Sequence, residues 1–164
     1  MTTLSAALEG VYRECRERLF TCALHVTRCP ARAEDAIHEA FSRLLVMSRM
    51  PDDLKVYVFR AVRNAAVDQL TRRRHTDRAE TNGHEEVIFD PGDGPEQSAA
   101  ASEFRSRLAR AIAALPERER DAVVYHLYGE LTFKETARLL DAAEGTVASW
   151  YYRALDRLRA ELEE

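Results

Sequence analysis

A long acidic stretch without helical periodicity, HTDRAETNGHEEVIFDPGDGPEQSAAASE, occupies residues 75–103 and divides the sequence into two halves. Its DPGDGP segment and its scarcity of apolar residues are typical of a linker. It carries 8 acidic and 1 basic side chains, against 9 and 13 in residues 1–74 and 11 and 10 in residues 104–164. We therefore expect two small domains, 1–74 and 104–164, joined by an acidic flexible linker over 75–103.

Apolar residues in the first half recur every three or four positions, which predicts three amphipathic helices. The first spans about Leu4 to Arg28 and is ended by Pro30, the second spans about Ala33 to Ser48, and the third follows the start signal Pro51-Asp52-Asp53. The predicted core positions are Leu8, Val11, Cys15, Leu19, Cys22, Val26, Ile37, Phe41, Leu44, Leu45, Leu54, Val58, Val62 and Ala65. The third helix also has a basic face, which predicts a binding partner. This face is formed by Arg60, Arg63, Asn64, Thr71 and Arg74.

The second half is also helical in its periodicity, and it ends in a helix-turn-helix pattern. One helix precedes another that runs from Pro116 to a C-cap at Gly129. Residues Thr132 to Glu135 have the form of a capping box, so a short helix runs from there to about Leu140. A turn at Asp141 to Ala143 leads into a long last helix. The predicted core positions are Phe104, Leu108, Ala111, Ile112, Leu115, Val147, Tyr151, Ala154, Leu158 and Leu162.

Several classes of protein are excluded by what the sequence lacks. No alternating β-branched run requires a strand, and no apolar run reaches the roughly 18 residues of a membrane span. We therefore expect an all-α protein of the cytoplasm without membrane insertion. Because there is no glycine-rich phosphate loop, no HExxH motif and no nucleophile elbow, we expect neither an enzyme nor a cofactor.

The three cysteines lie close together in the sequence, with a histidine among them, at Cys15, Cys22, His25 and Cys29. Along a helix that rises 1.5 Å per residue, Cys15 and Cys29 are about 21 Å apart, so the four side chains cannot share one metal ion. Cys15 and Cys22 fall in the apolar stripe and are interpreted as small core residues. We predict no metal site and no disulfide framework.

Three stretches, taken in order, resemble one protein family. ARAEDAIHEAFSRLL resembles region 2.2 of the bacterial sigma factors of RNA polymerase, and YVFRAVRNAAVDQLTRRRH resembles the region 2.3 to 2.4 helix that follows it. ALPERERDAVVYHLYGELTFKETARLLDAAEGTVASWYYRALDRLRAEL resembles region 4 from end to end. Their order and the acidic linker between them are similar to the extracytoplasmic-function (ECF) group, which keeps only regions 2 and 4.

This resemblance implies a transcription initiation factor. Region 2 would bind core RNA polymerase and melt the minus 10 element, and region 4 would place the complex at the minus 35 element of promoter DNA. An anti-sigma factor is implied as a further partner. By its position the acidic linker resembles the segment that threads toward the polymerase active centre, although a solvated tether would have the same sequence.

The resemblance also implies which residues make the contacts in the first half. Asp35, His38 and Glu39 match the core polymerase-binding stripe, with His38 where the family usually has Gln; the same residues also fit the solvated face of an amphipathic helix. A basic helix suits captured single-stranded DNA, since phosphate neutralisation supplies affinity. The expected minus 10 contacts are Arg60, Arg63, Asn64, Arg72, Arg73 and Arg74. Asp68 is expected to pair with a nearby arginine.

In the second half the reading helix EGTVASWYYRA is short of basic residues, because Ala148 and Trp150 stand where the family often has them. The expected DNA contacts are Thr146, Ser149, Tyr152 and Arg153. Ala143 replaces the usual serine cap at a cost of about 1 kcal/mol, unless Asp141 caps instead. We therefore expect weak binding of the minus 35 element unless polymerase holds the helix there. Trp150 fits a core edge, a regulator contact or a DNA contact.

Two other functions are compatible with parts of the sequence. A plain dimeric helix-turn-helix regulator would need only the second half and would leave residues 31–74 unexplained. A sigma-like decoy would bind an anti-sigma factor without starting transcription. Retention of the basic run Arg72, Arg73 and Arg74 argues against the decoy, which has no need of a DNA-melting face.

Overall fold

Seven α-helices account for most of the residues that the computed structural model describes, 3–76 and 98–163, and no strand occurs within those ranges. The bounds are α1 Leu4–Thr27, α2 Pro30–Leu45, α3 Leu54–Thr76, α4 Ala99–Ala113, α5 Glu117–Val123, α6 Phe133–Leu140 and α7 Glu144–Glu163. A π-helical turn, Val124–Tyr128, continues α5. The predicted all-α fold is confirmed, and none of the helices in these ranges is long and apolar enough to cross a membrane.

The boundary between α1 and α2 lies earlier than predicted. The Thr3 hydroxyl caps α1, accepting a hydrogen bond from the Ala6 N–H at 3.2 Å, and Arg28 ends the helix in the left-handed conformation at φ 54°. Pro30 then begins α2 instead of merely ending α1. Proline suits this first helical position, because its missing N–H has no partner there and its φ is already helical.

Helices α1, α2 and α3 pack against one another as a three-helix unit. Most of the predicted apolar stripe is buried, with Leu19 and Val58 fully inaccessible to solvent. Leu45 is an exception, because it is 54% exposed at the end of α2. Leu44 takes the core position, and a helix rotates successive side chains by about 100°, which turns Leu45 outward.

Helix α4 begins inside the stretch that the sequence predicts as linker. The Ser98 side chain caps it by accepting a hydrogen bond from the Ala101 N–H at 3.3 Å, so residues 99–103 are helical. Helix α3 likewise extends to Thr76. The rest of the predicted linker, 77–97, lies outside the described residues. Phe104 was expected in the core but is 50% exposed, because α4 buries only its later turns against α7.

The predicted helix from Pro116 to Gly129 is present, but it changes its hydrogen bonding halfway. Pro116 is the N-cap, α5 ends at Val123, and the Gly129 N–H donates to the Val124 carbonyl five residues earlier at 2.8 Å. A Cβ atom on Gly129 would lie 2.6 Å from the Tyr125 carbonyl oxygen, so only glycine fits this close approach. The π-turn and Gly129 therefore depend on each other.

The helix-turn-helix prediction is confirmed in detail. Thr132 and Glu135 form the reciprocal capping box, with both hydrogen bonds at 3.0 Å. Helix α6 ends at Asp141, which adopts the left-handed conformation at φ 55° and so serves as the C-cap of that helix. The Ala143 carbonyl accepts the first hydrogen bond of α7, from Val147 N–H at 3.1 Å.

The two halves share one hydrophobic core. The buried cluster that contains Leu19 and Phe59 from the first half also contains Tyr125, Leu140 and Leu158 from the second. A smaller cluster of Ala122, Ala137 and Val147 lies under the helix-turn-helix. The two halves are therefore packed together, and not only connected by the segment between them.

Candidate nucleic-acid interface

The candidate polymerase-binding residues share the outer face of α2. Asp35 and His38 are exposed, and Glu39 is partly buried. These positions are three and four apart and lie opposite the buried Ala36, Ala40 and Leu44, so one helical face presents all three side chains. Glu39 is held in place, because its Oε1 accepts hydrogen bonds from Arg43 at 2.5 Å and from Arg72 at 3.1 Å.

The candidate minus 10 residues on α3 are not all free. Asn64 is exposed, and Arg72 is exposed and paired with Glu39. Arg60 instead donates to the Arg138 carbonyl on α6, and Arg63 pairs with Asp121 on α5. Arg73 and Arg74 belong to α3, but their side chains lie outside the described residues. The structure thus divides the basic face between an open part and a part covered by the second half.

The open part of this face includes a residue that the sequence analysis missed. A groove of about 400 Å³ between α2 and α3 is lined by Arg43, Met47, Tyr57, Arg60 and Asn64 among others. Tyr57 is an exposed aromatic ring seven residues before Asn64, which places both on the same side of α3. The seven-residue spacing between Tyr57 and Asn64 is visible in the sequence and is the signal that identifies Tyr57 as part of this face. Asp68 lies 4.0 Å from Arg43, as expected for a residue that pairs with an arginine.

The candidate minus 35 residues all lie on the exposed side of α7. Thr146, Ser149, Tyr152 and Arg153 are exposed, and Arg153 donates to the Ser149 hydroxyl at 3.0 Å. The Tyr152 ring, 58% exposed, is braced by Tyr151 with 5.4 Å between the ring centroids. The first turn of α7 and the next two turns thus present hydroxyl, aromatic and guanidinium groups side by side.

Trp150 lies on the opposite edge of the same helix. It is half-buried and packs against both hydrophobic clusters. The Arg118 guanidinium lies over its ring, 5.5 Å from the centroid. Of the three alternatives, this position corresponds to the core edge.

The ion pair between Arg63 and Asp121 is the most buried of the ion pairs that the described residues form between the halves. Arg63 Nη2 and Asp121 Oδ2 are 3.2 Å apart, and the two side chains are 23% and 7% exposed. Burial raises the pKa of Asp121 above its usual range, although Arg63 works in the opposite direction. The cost of removing water from the carboxylate therefore outweighs the favourable effect of Arg63 and of Arg120 nearby.

Two further ion pairs lie at the rim of this contact. Lys55 Nζ is 2.8 Å from Glu135 Oε2, and Arg138 Nη1 is 3.2 Å from Asp53 Oδ2. On the α1 side, Arg18 Nη1 lies 3.5 Å from Glu130 Oε2. We call this contact between the two halves the seam. Its first-half side is Asp53, just before α3, with Lys55 and Arg63 on α3. Its second-half side is Asp121, Tyr125, Glu135 and Arg138.

The cysteine and histidine cluster is built into the protein interior. Cys15 and Cys22 are core residues, and burial raises the pKa of both thiols. Burial, together with Arg120 and Arg28, lowers the pKa of His25 to about 3, so the ring is neutral at physiological pH. Within residues 3–76 and 98–163, no group of three or more His, Cys, Asp or Glu side chains is arranged to hold a metal ion.

Two family models match the chain, one in each half. The model described as Sigma-70 region 2 matches residues 11–76, which carry α3 and the outer face of α2. The model described as Sigma-70, region 4 matches residues 105–158, which carry the helix-turn-helix. The two matches together cover most of the chain.

Two ECF sigma factors are similar to this chain over most of its length. The chain is 26% identical over 156 residues to the ECF RNA polymerase sigma factor SigM of Bacillus subtilis, covering 93% of each. It is 28% identical over 129 residues to the ECF sigma factor RpoE of Cereibacter sphaeroides, covering 77% of this chain and 68% of that one.

The fold also has a counterpart among solved structures. The sigma factor RpoE of Bartonella quintana, in its complex with the anti-sigma factor NepR, superposes with a TM-score of 0.73 at 19% identity, covering 96% of this chain and 97% of that one. At this identity the likeness concerns the fold alone. The two family matches and the relatives of similar length carry the assignment: the chain belongs to the sigma-70 family of RNA polymerase sigma factors, in its ECF group.

Proposed function

We propose that this protein is a transcription initiation factor that binds core RNA polymerase and directs it to specific promoters. The observation that carries this proposal is the presence, in one chain and in the family's order, of region 2 and region 4. A plain helix-turn-helix regulator has no use for the first of these regions. The protein acts by binding, in the cytoplasm where the polymerase works, and performs no chemistry itself.

The outer face of α2 is the proposed docking surface for core polymerase. Asp35 and His38 are exposed there, and Glu39 is held by two arginines in a fixed position. A fixed carboxylate loses little side-chain entropy on binding, which favours its use in an interface. His38, in place of the family's usual Gln, still offers one hydrogen-bond donor or acceptor.

The α3 face is proposed to capture the single-stranded minus 10 element. Arg60, Arg63, Arg72, Arg73 and Arg74 would neutralise phosphates, and Asn64 would contact a base edge. Tyr57 adds an exposed ring on which an unpaired base can stack, and base stacking on aromatic rings is worth about 1–3 kcal/mol.

The exposed side of α7 is proposed to read the minus 35 element in the major groove. These residues are exposed. Ser149 and Tyr152 would offer hydroxyl groups to base edges, while Thr146 at the start of the helix and Arg153 would contact phosphates. Because Arg153 is the one arginine among these four residues, the contact is weak alone and depends on attachment to polymerase. An anti-sigma factor is proposed as the regulator that competes for these surfaces.

The test is initiation by a reconstituted holoenzyme. The purified full chain is mixed with bacterial core RNA polymerase, and complex formation is followed by gel filtration and run-off transcription on a promoter library. We expect a complex that initiates at defined sites. Binding without initiation would favour a sigma-like decoy, and duplex DNA binding without any polymerase binding would leave a plain regulator.

A matched pair of arginine variants links initiation to the proposed face. Arg153→Gln removes one phosphate contact and should flatten the dependence of log affinity on log salt concentration by about one unit on promoter DNA. Arg13→Gln removes the same charge from an exposed side chain of α1, outside the proposed face, and should leave that slope unaltered. Equal slopes in the two variants would contradict the assignment of the α7 face.

A further inference from the structure

Four aromatic rings from three elements meet beside the exposed side of α7. Phe133, the first residue of α6, lies at their centre: its ring centroid is 4.0 Å from that of His126, 5.4 Å from Tyr151 and 6.1 Å from Tyr152. His126, in the π-turn, also meets Tyr151 edge to face at 4.8 Å. We call the half-buried His126, Phe133 and Tyr151 the aromatic brace. Tyr152, the fourth ring, is 58% exposed.

Hydrogen bonds hold the inner part of the aromatic brace in place. His126 Nδ1 lies 2.7 Å from the Leu131 carbonyl oxygen, and because a carbonyl only accepts hydrogen bonds, this nitrogen is the donor. The bond orients the imidazole ring, which stacks on Phe133 with 13° between the two planes. Phe133 directly follows Thr132 and lies within the capping box that Thr132 forms with Glu135. Both rings are therefore fixed by contacts of their own backbone segments.

Tyr152 packs against two rings of the aromatic brace. It meets Tyr151 at 5.4 Å with 76° between the planes, and it meets Phe133 at 6.1 Å with 56° between the planes. Tilted and edge-to-face pairs at such distances are the arrangements that aromatic rings favour. A tyrosine side chain has few rotatable torsions, so contacts with two neighbouring rings leave it few orientations.

The reading helix α7 has little charge with which to hold DNA. Its segment EGTVASWYYRA contains one basic residue, Arg153. Phosphate contacts position a protein on DNA, whereas contacts to base edges carry the sequence information. A ring that is already held in its binding orientation loses little conformational freedom on binding, so its contacts contribute more to affinity. On a helix of this composition, the orientation of an exposed ring therefore has a large influence on promoter choice.

We propose that the aromatic brace positions Tyr152 for the minus 35 element, with Phe133 as the central positioning residue because its ring contacts the other three. Phe133 does not touch DNA and acts only through Tyr152. This inference rests on the proposed function, since it names the residues that set the selectivity of the same α7 face. It extends the reading site from α7 to α6 and the π-turn.

The test measures sequence discrimination by the holoenzyme. The full chain and its variants are assembled with bacterial core RNA polymerase. Initiation is compared between one promoter selected from the library and its single-base-pair variants through the minus 35 element, and the ratio of the two rates is the discrimination at that base pair. Tyr152→Ala identifies the base pairs that depend on Tyr152. Discrimination there should fall about fivefold or more, as expected for the loss of one base contact.

Phe133→Leu should lower the discrimination at the same base pairs, because leucine keeps apolar bulk but offers no ring to hold Tyr152. Discrimination at the other base pairs should be unchanged. Phe133→Tyr keeps the aromatic ring and should restore the discrimination. The control is Ile112→Val, which trims a buried side chain of α4 that belongs to no ring pair. It should lower the stability and leave the discrimination unchanged at every base pair.

Fluorine NMR of the free full chain reports the position of Tyr152 without DNA or polymerase. The chain contains 6 tyrosines, and after labelling with fluorotyrosine the Tyr152 signal is the one that Tyr152→Phe removes. Ring currents from Phe133 and Tyr151 should displace this signal from the position of free fluorotyrosine. Phe133→Leu should move it toward that position, and Phe133→Tyr should leave it displaced.

Three results overturn the positioning role: Tyr152→Ala that changes discrimination at no base pair, Phe133→Leu that keeps the discrimination and the fluorine signal, or Phe133→Leu that changes all promoters alike, as Ile112→Val does. Holoenzyme made from the unmodified chain keeps the two proposals apart. If it initiates while any of these results is found, the aromatic brace does not position Tyr152 for DNA and the proposed function stands. If the unmodified chain neither binds core polymerase nor initiates, the proposed function fails, and the positioning role at promoter DNA fails with it.

Discussion

Glu39 on α2 and Arg72 on α3 form an ion pair, with 3.1 Å between Glu39 Oε1 and Arg72 Nη2. The pair joins the proposed polymerase-binding surface to the proposed DNA-binding surface, and the same oxygen also accepts a hydrogen bond from Arg43 at 2.5 Å. Because both arginines are mostly exposed, the network adds little to folding stability. Its consequence is positional, since it fixes a carboxylate that would otherwise sample several rotamers.

Glu39→Gln should therefore weaken holoenzyme assembly while leaving the fold intact. Loss of the charge weakens a charge-assisted contact, and we expect a fall in core polymerase affinity of about five- to tenfold. The free energy of unfolding should change by less than about 1 kcal/mol. Fluorescence titration with core polymerase and urea unfolding measure the two quantities.

The control for this prediction is Glu9→Gln, which breaks another exposed Glu–Arg pair four residues apart, with Arg13 on α1. It should leave core polymerase affinity unchanged. If both variants bind core equally well, Glu39 is only part of a solvated helix face.

The position of Trp150 leads to a stability prediction. Because its ring packs on two hydrophobic clusters and under Arg118, Trp150→Ala should lower the free energy of unfolding by about 2–3 kcal/mol. Tyr152→Ala, on the exposed side of the same helix, should cost less than about 1 kcal/mol. Urea unfolding measures the free energy of unfolding of both variants. Equal values would show that Trp150 is not part of the core edge and would favour a DNA contact or a regulator contact.

The local elements of region 4 were predictable because their signals lie within a few residues. The capping box of Thr132 and Glu135 and the turn ending at Asp141 need only side chains and backbone from the same segment. The candidate DNA residues of α7 were identified through the family resemblance. Helical spacing predicts that they share the outer side of the helix, and the structure has them exposed there. Sequence periodicity is sufficient for such features.

The covering of Arg63 was not predictable in the same way. Its amphipathic position on α3 identifies a basic face, but Asp121 lies on a different helix of the other half. Nothing in local spacing selects one acidic residue in the second half over another. The assumption of independent domains also hid the shared core, since Tyr125 is placed in it by tertiary packing.

The π-turn offers a paired glycine experiment. Gly129→Ala brings a Cβ to within 2.6 Å of the Tyr125 carbonyl oxygen, a backbone atom that cannot move without distorting the turn. We expect a loss of about 1–3 kcal/mol in the free energy of unfolding. Gly10 lies inside α1 with no neighbouring atom within 4 Å of a built Cβ, so Gly10→Ala should stabilise by about 0.5–1 kcal/mol. Thermal and urea unfolding test whether the two substitutions change the free energy of unfolding in opposite directions. If Gly129→Ala leaves it unchanged, the π-turn accommodates the added Cβ without a loss of stability.

His25 should make the stability of the protein depend on pH. Burial, with Arg120 and Arg28 nearby, lowers the pKa of this ring from 6.5 to about 3. Between those values the unfolded chain binds a proton that the folded chain does not, so stability rises with pH. The contribution of neutral His25 is fully present above pH 6.5 and is lost as the pH falls toward 3. At about pH 5 the loss should be about 2 kcal/mol.

Two histidine variants isolate this effect from the other titrating groups. His25→Gln cannot take up the proton, so the difference in unfolding free energy between about pH 8 and about pH 5 should shrink by about 2 kcal/mol. His38→Gln, which removes an exposed histidine on α2, should leave that difference almost unaltered. Urea unfolding at the two pH values supplies the comparison. The groups outside the substituted position, including Asp121, titrate alike in all three chains. If the difference between the two pH values is undiminished in His25→Gln, it arises from those groups, and the His25 ring contributes nothing to it.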